Sequence, residues 1–464
     1  MNSKYKRLIG DMKIFAIGTL GSKLVLFILL PIYTNVLTEA EYGIADLVFS
    51  IGELVLPIIS IAIFNGLLRY GIIEGKRESS LLNASIIFII GSVVTILITP
   101  LIALYKPIEP WKWFLSVSVI ISFARSNTLA YLKVKDKNKL YSVLSIVQAL
   151  LLVAFNILFL IIFGWGIKGY LLSTMLSNAL LAISSFLLGG MGTDLRSAKF
   201  DKSLMREMVI YSIPFIINDI SWWIIYSSDK IMIECLIGST MLGLYTAASK
   251  IPSLVNVVTS IFAQAWGLAS AKEFDTTNDD NFYSIVFQYF TDAIFGVTIL
   301  IICFIQPFMR IYVGNAFFAA WHYVPLLLVA AAFAAISTFA VGLYGASKKS
   351  KNIMTTSFIA GIINIVVNYL LIQVVDVWGA VIGTVVAYLV LAFLRIIGVK
   401  KVIKIRFNYI KLSALSLLCL IQATLVGIEF HAIIISAVSV VVFLILIFKD
   451  SKQIIAYIKR MKRK

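Results

Sequence analysis

Long apolar runs follow one another along this chain, separated by polar gaps of only a few residues. A membrane-crossing helix needs about 20 mostly apolar residues. By that ruler, candidate spans lie at 11–37, 42–70, 80–105, 111–132, 140–164, 168–190, 206–235, 242–270, 283–311, 321–346, 352–375, 378–400, 409–428 and 431–448. The pattern predicts an all-α polytopic membrane protein of about 14 transmembrane helices, with almost nothing outside the bilayer. The first run, from Met12 to Leu37, follows Lys4, Lys6 and Arg7 and superficially resembles a signal peptide. It is too long for one and no small-x-small cleavage site ends it, so it is expected to be a retained span.

The gaps orient the chain. With the N-terminus placed in the cytoplasm, 31 of the 40 Lys and Arg residues fall in inside segments and only Lys106, Lys112, Lys168 and Arg310 fall outside. A bias this large predicts an even number of spans with both termini cytoplasmic. The longest gap, about 191–205, is on the inside between the sixth and seventh spans. The expected organisation is an N-lobe over 1–190, a linker over 191–205, a C-lobe over 206–400, a helix pair over 409–448 and a basic cytoplasmic tail over 449–464. An internal echo supports two halves. Pro31–Val55 aligns without gaps on Ile231–Val255 at an offset of 200, placing Gly43 on Gly243, Ile51 on Ile251, Leu54 on Leu254 and Val55 on Val255. Both segments run outward and return, as a parallel repeat does.

Composition agrees. Of 464 residues, 60% are hydrophobic and 14% charged, too little polar surface for a soluble chain of this length. The net charge of +17 sits in the gaps and at the chain ends, as expected for contact with a membrane surface. No basic helix with interleaved aromatics is present, which excludes a nucleic-acid surface. Cys235, Cys303 and Cys419 have no metal-like spacing, and His322 and His431 are far apart in sequence, so neither a disulfide framework nor a metal site is expected.

The candidate chemistry lies in charges within spans. Such residues are costly in hydrocarbon and tend to face a protein interior or a water-filled cavity. Lys23 falls near the middle of span 1, Glu53 near the middle of span 2 and Arg125 in span 4. Asp219 is central in span 7, with Asp229, Lys230 and Glu234 in its outer third, and Lys250 lies in the outer half of span 8. Lys23, Arg125, Lys230 and Lys250 are candidate cavity cations for an anionic headgroup. Asp219, Glu53 and Asp229 are candidate coupling or ion-pairing acids. Asp46, Glu234 and Arg395, nearer span ends, read as snorkelling or structural charges. Structural ion pairing remains open for the others too, about evenly so for Asp229 and Lys230.

Pro31, Pro57, Pro214, Pro252, Pro307 and Pro325 mark bends. The stripe Gly379, Gly383, Ala387 allows close helix packing. Trp111, Trp113, Trp165 and Trp321 read as interface anchors. No Walker A sequence and no sizeable outside loop is present. That disfavours ATP-driven transport by this chain alone and a membrane glycosyltransferase or polymerase, and favours a secondary transporter over an enzyme.

Two stretches carry a family likeness. Ser228-Asp229-Lys230-Ile231-Met232-Ile233, followed by Leu242-Gly243-Leu244-Tyr245-Thr246-Ala247-Ala248-Ser249-Lys250-Ile251, resembles the DRxxI…GxYxxAxKI region of bacterial polysaccharide-unit flippases, the Wzx or polysaccharide transporter family. Leu30-Pro31, Leu37-Thr38 and Glu41-Tyr42-Gly43 resemble that family's first hairpin. The family shares the MOP superfamily with lipid II flippases and MATE exporters. The resemblance implies two six-helix lobes in a MATE-like V plus a C-terminal helix pair, with a cationic central cavity to which Lys23 and Lys250 contribute. It implies alternating access that flips an undecaprenyl-diphosphate-linked oligosaccharide to the outer leaflet of the bacterial inner membrane, for O-antigen or capsule synthesis. Coupling to H+ or Na+, no other cofactor, and a polymerase with its chain-length machinery as partners complete that expectation. A lipid II flippase and a MATE-like drug exporter are the alternatives; a cavity rich in Lys and Arg would repel cationic drugs.

Overall fold

The computed structural model describes residues 27–276, 280–347, 350–403, 405 and 407–461. The described residues are helical throughout. They form α1 (Phe27–Val36), then α2 (Glu39–Ile59), α3 (Ile63–Gly71), α4 (Arg77–Ile102), α5 (Lys112–Val134), α6 (Asn138–Asn156), α7 (Gly166–Gly189), α8 (Met191–Ser197), α9 (Lys202–Leu236), α10 (Ser239–Lys250), α11 (Ser253–Thr276), α12 (Asp280–Tyr312), α13 (Val324–Ala346), α14 (Ser350–Val375), α15 (Val377–Lys400), α16 (Tyr409–Gly427) and α17 (Ala432–Met461).

Eleven of these segments are long and apolar enough to cross a membrane. The expected count of fourteen is therefore approximate, for local reasons. Only Phe27–Val36 of the first span falls among the described residues, and the apolar part of α17 is the short Ala432–Ile447. Span 8 is two helices, α10 and α11, separated at Ile251 and Pro252. Span 2 breaks likewise. Pro57 cannot donate into α2, and Ile61 and Ala62 take left-handed φ of 52° and 47° before α3 begins. Ser60 Oγ accepts the Ala62 N–H at 3.1 Å and satisfies one backbone group freed by the break. Pro325, expected to bend its helix, instead sits in the first turn of α13, where a missing N–H costs nothing.

The repeated segments start their helices alike. α2 begins at Glu39 behind an N-cap at Thr38, whose hydroxyl accepts the Glu41 N–H while the Glu41 carboxylate accepts the Thr38 N–H. α10 begins 200 positions later, at Ser239, after Gly238 with φ +121°. The two glycines matched in sequence meet in space. A Cβ on Gly43 would stand 2.7 Å from the Gly243 nitrogen and 2.7 Å from the Ser239 carbonyl oxygen, and one on Gly243 would strike the Glu39 backbone. Lipid tails give helices no hydrophobic reason to associate, so backbone approach through small residues supplies the packing.

The chain divides into two compact units, one running to Glu234 and including Gly238–Gly243, the other comprising Cys235–Ile237 and the chain from Leu244 onward. The expected linker at 191–205 holds α8 and the start of α9. α9 stays with the first unit because it is tied there. Ser212 Oγ accepts the Gly66 N–H at 3.2 Å, the Asp201 carbonyl accepts from Asn83 Nδ2 at 3.0 Å, and Trp223 Nε1 donates to the Ser50 carbonyl at 2.6 Å. The core of this unit gathers Leu67, Leu81, Phe123, Tyr131 and Met208.

In the second unit α13 is the central helix. It is apolar all round, 78% of its most apolar window is buried, and α11, α12, α15 and α16 pack on it. The stripe on α15 packs as expected. A Cβ on Gly379 would strike the backbone of Leu371 and Ile372, and one on Gly383 the Asn368 side chain. Trp321, expected at an interface, is buried at 1% exposure and stacks on His322. Trp113 and Trp165 are exposed as interface anchors would be.

Candidate functional site

In the first unit a buried charged pair joins α2 to α9. On α2, Asp46, Ser50 and Glu53 recur at helical spacing and share a face. On α9, Asp219, Trp223, Tyr226 and Lys230 do the same. Lys230 Nζ lies 2.7 Å from Asp46 Oδ2 and 3.0 Å from Ser50 Oγ, and the two charged side chains are only 11% and 8% exposed. The Asp229 carboxylate turns back to accept the Lys230 backbone N–H at 2.9 Å. Glu53 is exposed within electrostatic reach of both Lys230 and Arg125. Asp219 is half-buried, and its Oδ1 accepts from Asn218 Nδ2 at 3.2 Å. Arg125 lies on α5, and among the described residues its Nε has no hydrogen-bond partner. At hydrocarbon depth such charges persist only where protein or water replaces the lost hydration.

Of the expected cations, Arg125 and Lys230 thus belong to this unit. Lys250 lies in the second unit, half-buried at the last residue of α10. Lys23 lies outside the described residues. Asp46, expected to be a structural charge near a span end, is the acid that receives Lys230.

The second unit holds buried polar groups too, one of which the hydropathy pattern hid. Lys411, counted among the loop cations, is buried and reaches Asp292 Oδ2 on α12 at 2.8 Å. Its position was legible in principle. Lys411, Leu415, Cys419, Gln422 and Val426 follow helical spacing and make the buried stripe of α16. Arg395, at 0% exposure, donates to Ser337 Oγ at 3.1 Å, Ser357 Oγ at 2.9 Å and Thr356 Oγ1 at 3.3 Å. Two open clefts of about 900 and 590 Å³ flank α16, the first lined by residues such as Leu300, Phe304 and Val440, the second by Trp378, Ile382 and Leu389. Both are walled mainly by apolar side chains.

Among the described residues no three His, Cys, Asp or Glu side chains come together as a metal site. Outside the spans, the clearest ionic feature is on α8. Asp194 Oδ2 accepts from Lys135 Nζ at 2.7 Å and from Tyr131 Oη at 2.8 Å. Burial pushes this carboxyl up, but the two hydrogen bonds more than offset it and hold the carboxyl below its ordinary range.

Long apolar helices folded around buried, hydrogen-bonded charges define a multi-pass α-helical membrane protein. The model of the polysaccharide biosynthesis protein family matches residues 11–267, and the chain belongs to that family. No curated protein matches the chain. Among solved structures, the lipid II flippase MurJ in an inward closed conformation is similar, with a TM-score of 0.69 at 13% identity, covering 94% of this chain and 99% of that one. An inward-facing multidrug resistance MATE family transporter of the MOP superfamily follows, with a TM-score of 0.61 at 14% identity over 85% of this chain and 98% of that one. A variant of the Vibrio cholerae MATE transporter VcmN has a TM-score of 0.58 at 13% identity over 86% of this chain and 98% of that one. At these identities the likeness establishes the fold.

Proposed function

We propose that this protein flips a lipid-linked oligosaccharide diphosphate from the cytoplasmic to the outer leaflet of a bacterial inner membrane for surface polysaccharide synthesis. The observation that carries this reading is the buried Lys230, paired with Asp46 and Ser50 within a membrane-spanning helix, in a chain of the polysaccharide biosynthesis protein family. A sugar diphosphate cannot enter hydrocarbon without replacing its hydration. Lys230 and Arg125 of the first unit are the cations for the diphosphate, with Lys250 and Lys23 as the further candidates from the sequence, while the polyprenyl tail stays in lipid. Release at the far side follows if Lys230 exchanges between the diphosphate and Asp46. The headgroup then competes with a resident carboxylate and is never bound without an alternative partner for the lysine. Asp219 and Glu53 are the acids that would carry a coupling proton or sodium ion. The basic bias of the gaps supports cytoplasmic termini.

Deleting the gene tests the reading. Surface polysaccharide is expected to disappear, and lipid-linked units to accumulate facing the cytoplasm. Unchanged glycan together with new drug sensitivity would overturn it in favour of an exporter. The fold likeness to MurJ favours lipid II as the second substrate to test. Rescue of cells depleted of their own lipid II flippase would support that alternative.

A further inference from the structure

Trp222 and Tyr226 stack on one another on α9, with ring centroids 5.6 Å apart and planes at 19°. Tyr226 is 50% exposed and Trp222 half-buried, so the pair presents aromatic surface outward from the helix. Aromatics on membrane proteins usually mark the two interfaces. Trp222 stands 20 residues from the start of α9 and Tyr226 ten from its end, both within the apolar span, and the surroundings of the pair do not suit lipid contact. Asp219 lies three residues before Trp222, and Lys230 lies four after Tyr226 on the same face. A face of a membrane-spanning helix bounded by an acid and a base is turned toward water or protein. The opposite side of α9 exposes Ile210, Ile213 and Ile217 instead, as a lipid-facing surface does.

We infer that Trp222 and Tyr226 form a stacking platform for a sugar ring of the transported headgroup; this rests on the proposed flippase function. A pyranose offers a face of C–H groups with slight positive charge, which matches the negative face of an aromatic ring. Its hydroxyls need hydrogen-bond acceptors at the ring edge, and Asp219, three residues before Trp222 on α9, is a carboxylate one turn away. The platform is held in place beforehand. Trp223, next in sequence, donates to the Ser50 carbonyl at 2.6 Å, and Lys230 is bonded to Ser50 and Asp46, so the helix face cannot turn away from α2. The arrangement places cation and aromatic pair within eight residues of one helix, the order that a diphosphate joined to a sugar requires. Aromatic stacking tolerates different sugars, since hydroxyl contacts and not the rings read configuration. The platform would therefore grip the headgroup without fixing its composition.

The test uses full-length protein in lipid nanodiscs and two ligands, a polyprenyl-diphosphate-linked oligosaccharide and the same polyprenyl diphosphate without sugar, with binding measured by native mass spectrometry. Trp222→Leu and Tyr226→Leu should each weaken the sugar-bearing ligand about 10-fold. They should leave the sugar-free ligand unchanged, and Trp222→Phe and Tyr226→Phe should stay within about 2-fold of the parent. Equal loss for both ligands, or no loss for either, overturns the platform. So does a parent protein that binds both ligands equally, although the flippase reading survives that result. A parent that binds neither ligand removes the flippase reading and the platform with it. Tryptophan emission covers the case of unstable leucine variants. It should shift when the sugar-bearing ligand is added to the parent but not to Trp222→Phe, and the same shift in both proteins overturns the platform.

Discussion

Replacing Lys230 with Met takes the ammonium away from the Asp46 carboxylate in a site where both charged side chains are about nine-tenths buried. Replacing Asp46 with Asn strands the ammonium beside Ser50 in the same way. Breaking a buried pair from either side costs about 3–5 kcal/mol, because the surviving charge keeps its desolvation cost and loses its partner. Removing both charges can be nearly neutral. The double variant Asp46→Asn/Lys230→Met should therefore recover most of the stability that each single change loses. The non-additivity should amount to at least ~3 kcal/mol, well above the ~0.5 kcal/mol expected of independent sites. Unfolding of purified protein in lipid nanodiscs, followed by tryptophan emission, reads the cycle. Additive losses would refute the buried-pair account. Function should behave differently. If Lys230 also serves the headgroup, the double variant is stable but fails to restore surface polysaccharide in a deletion strain.

Gly43→Ala should destabilise by about 1–3 kcal/mol, since the added methyl meets backbone atoms of Gly243 and Ser239 that cannot rotate away; a melting point equal to the parent's would contradict the contact. Arg395→Met should cost about 1–3 kcal/mol, and Arg395→Lys should not fully rescue it, because an ammonium cannot span Ser337, Ser357 and Thr356 as the planar fork does. Asp194 offers a pH test. A carboxyl held low in the folded protein contributes stability above its unfolded pKa and loses it as pH falls through the folded value. Asp194→Asn should thus lower the unfolding midpoint at pH 7, and its difference from the parent should shrink below about pH 4; a difference independent of pH would count against the pairing with Lys135.

Helical class and most span positions were legible because a stretch of some 20 apolar residues has few alternatives to crossing a bilayer. Breaks within spans were less legible. Pro57 signalled one, yet the turn itself falls at Ser60–Ala62, where the Pro57 carbonyl accepts the Ala62 N–H. Charges were legible as costly, but not in their pairing. Lys230 had several carboxylates as possible partners, and Asp46 lies 184 positions away; only the contact of α2 with α9 selects it. Lys411 was missed because it adjoins a basic gap, and hydropathy averages conceal one charge at the edge of a run. Its spacing from Leu415 and Cys419 carried the correct signal. Trp321 shows the converse. Its place near a span end suggested an interface, while the turn at 315–322 folds it inward.

Translocation in vesicles tests the central claim most directly. The protein is reconstituted with a polyprenyl-diphosphate oligosaccharide labelled on the sugar, and a membrane-impermeant quencher is added outside. With the parent protein, label initially shielded in the inner leaflet should become quenchable over time, and Lys230→Met and Arg125→Met should slow this at least about 10-fold, the effect of losing one charge-assisted contact. Shielding that persists at the rate of protein-free vesicles, with folded protein confirmed in the same membranes, would contradict the account.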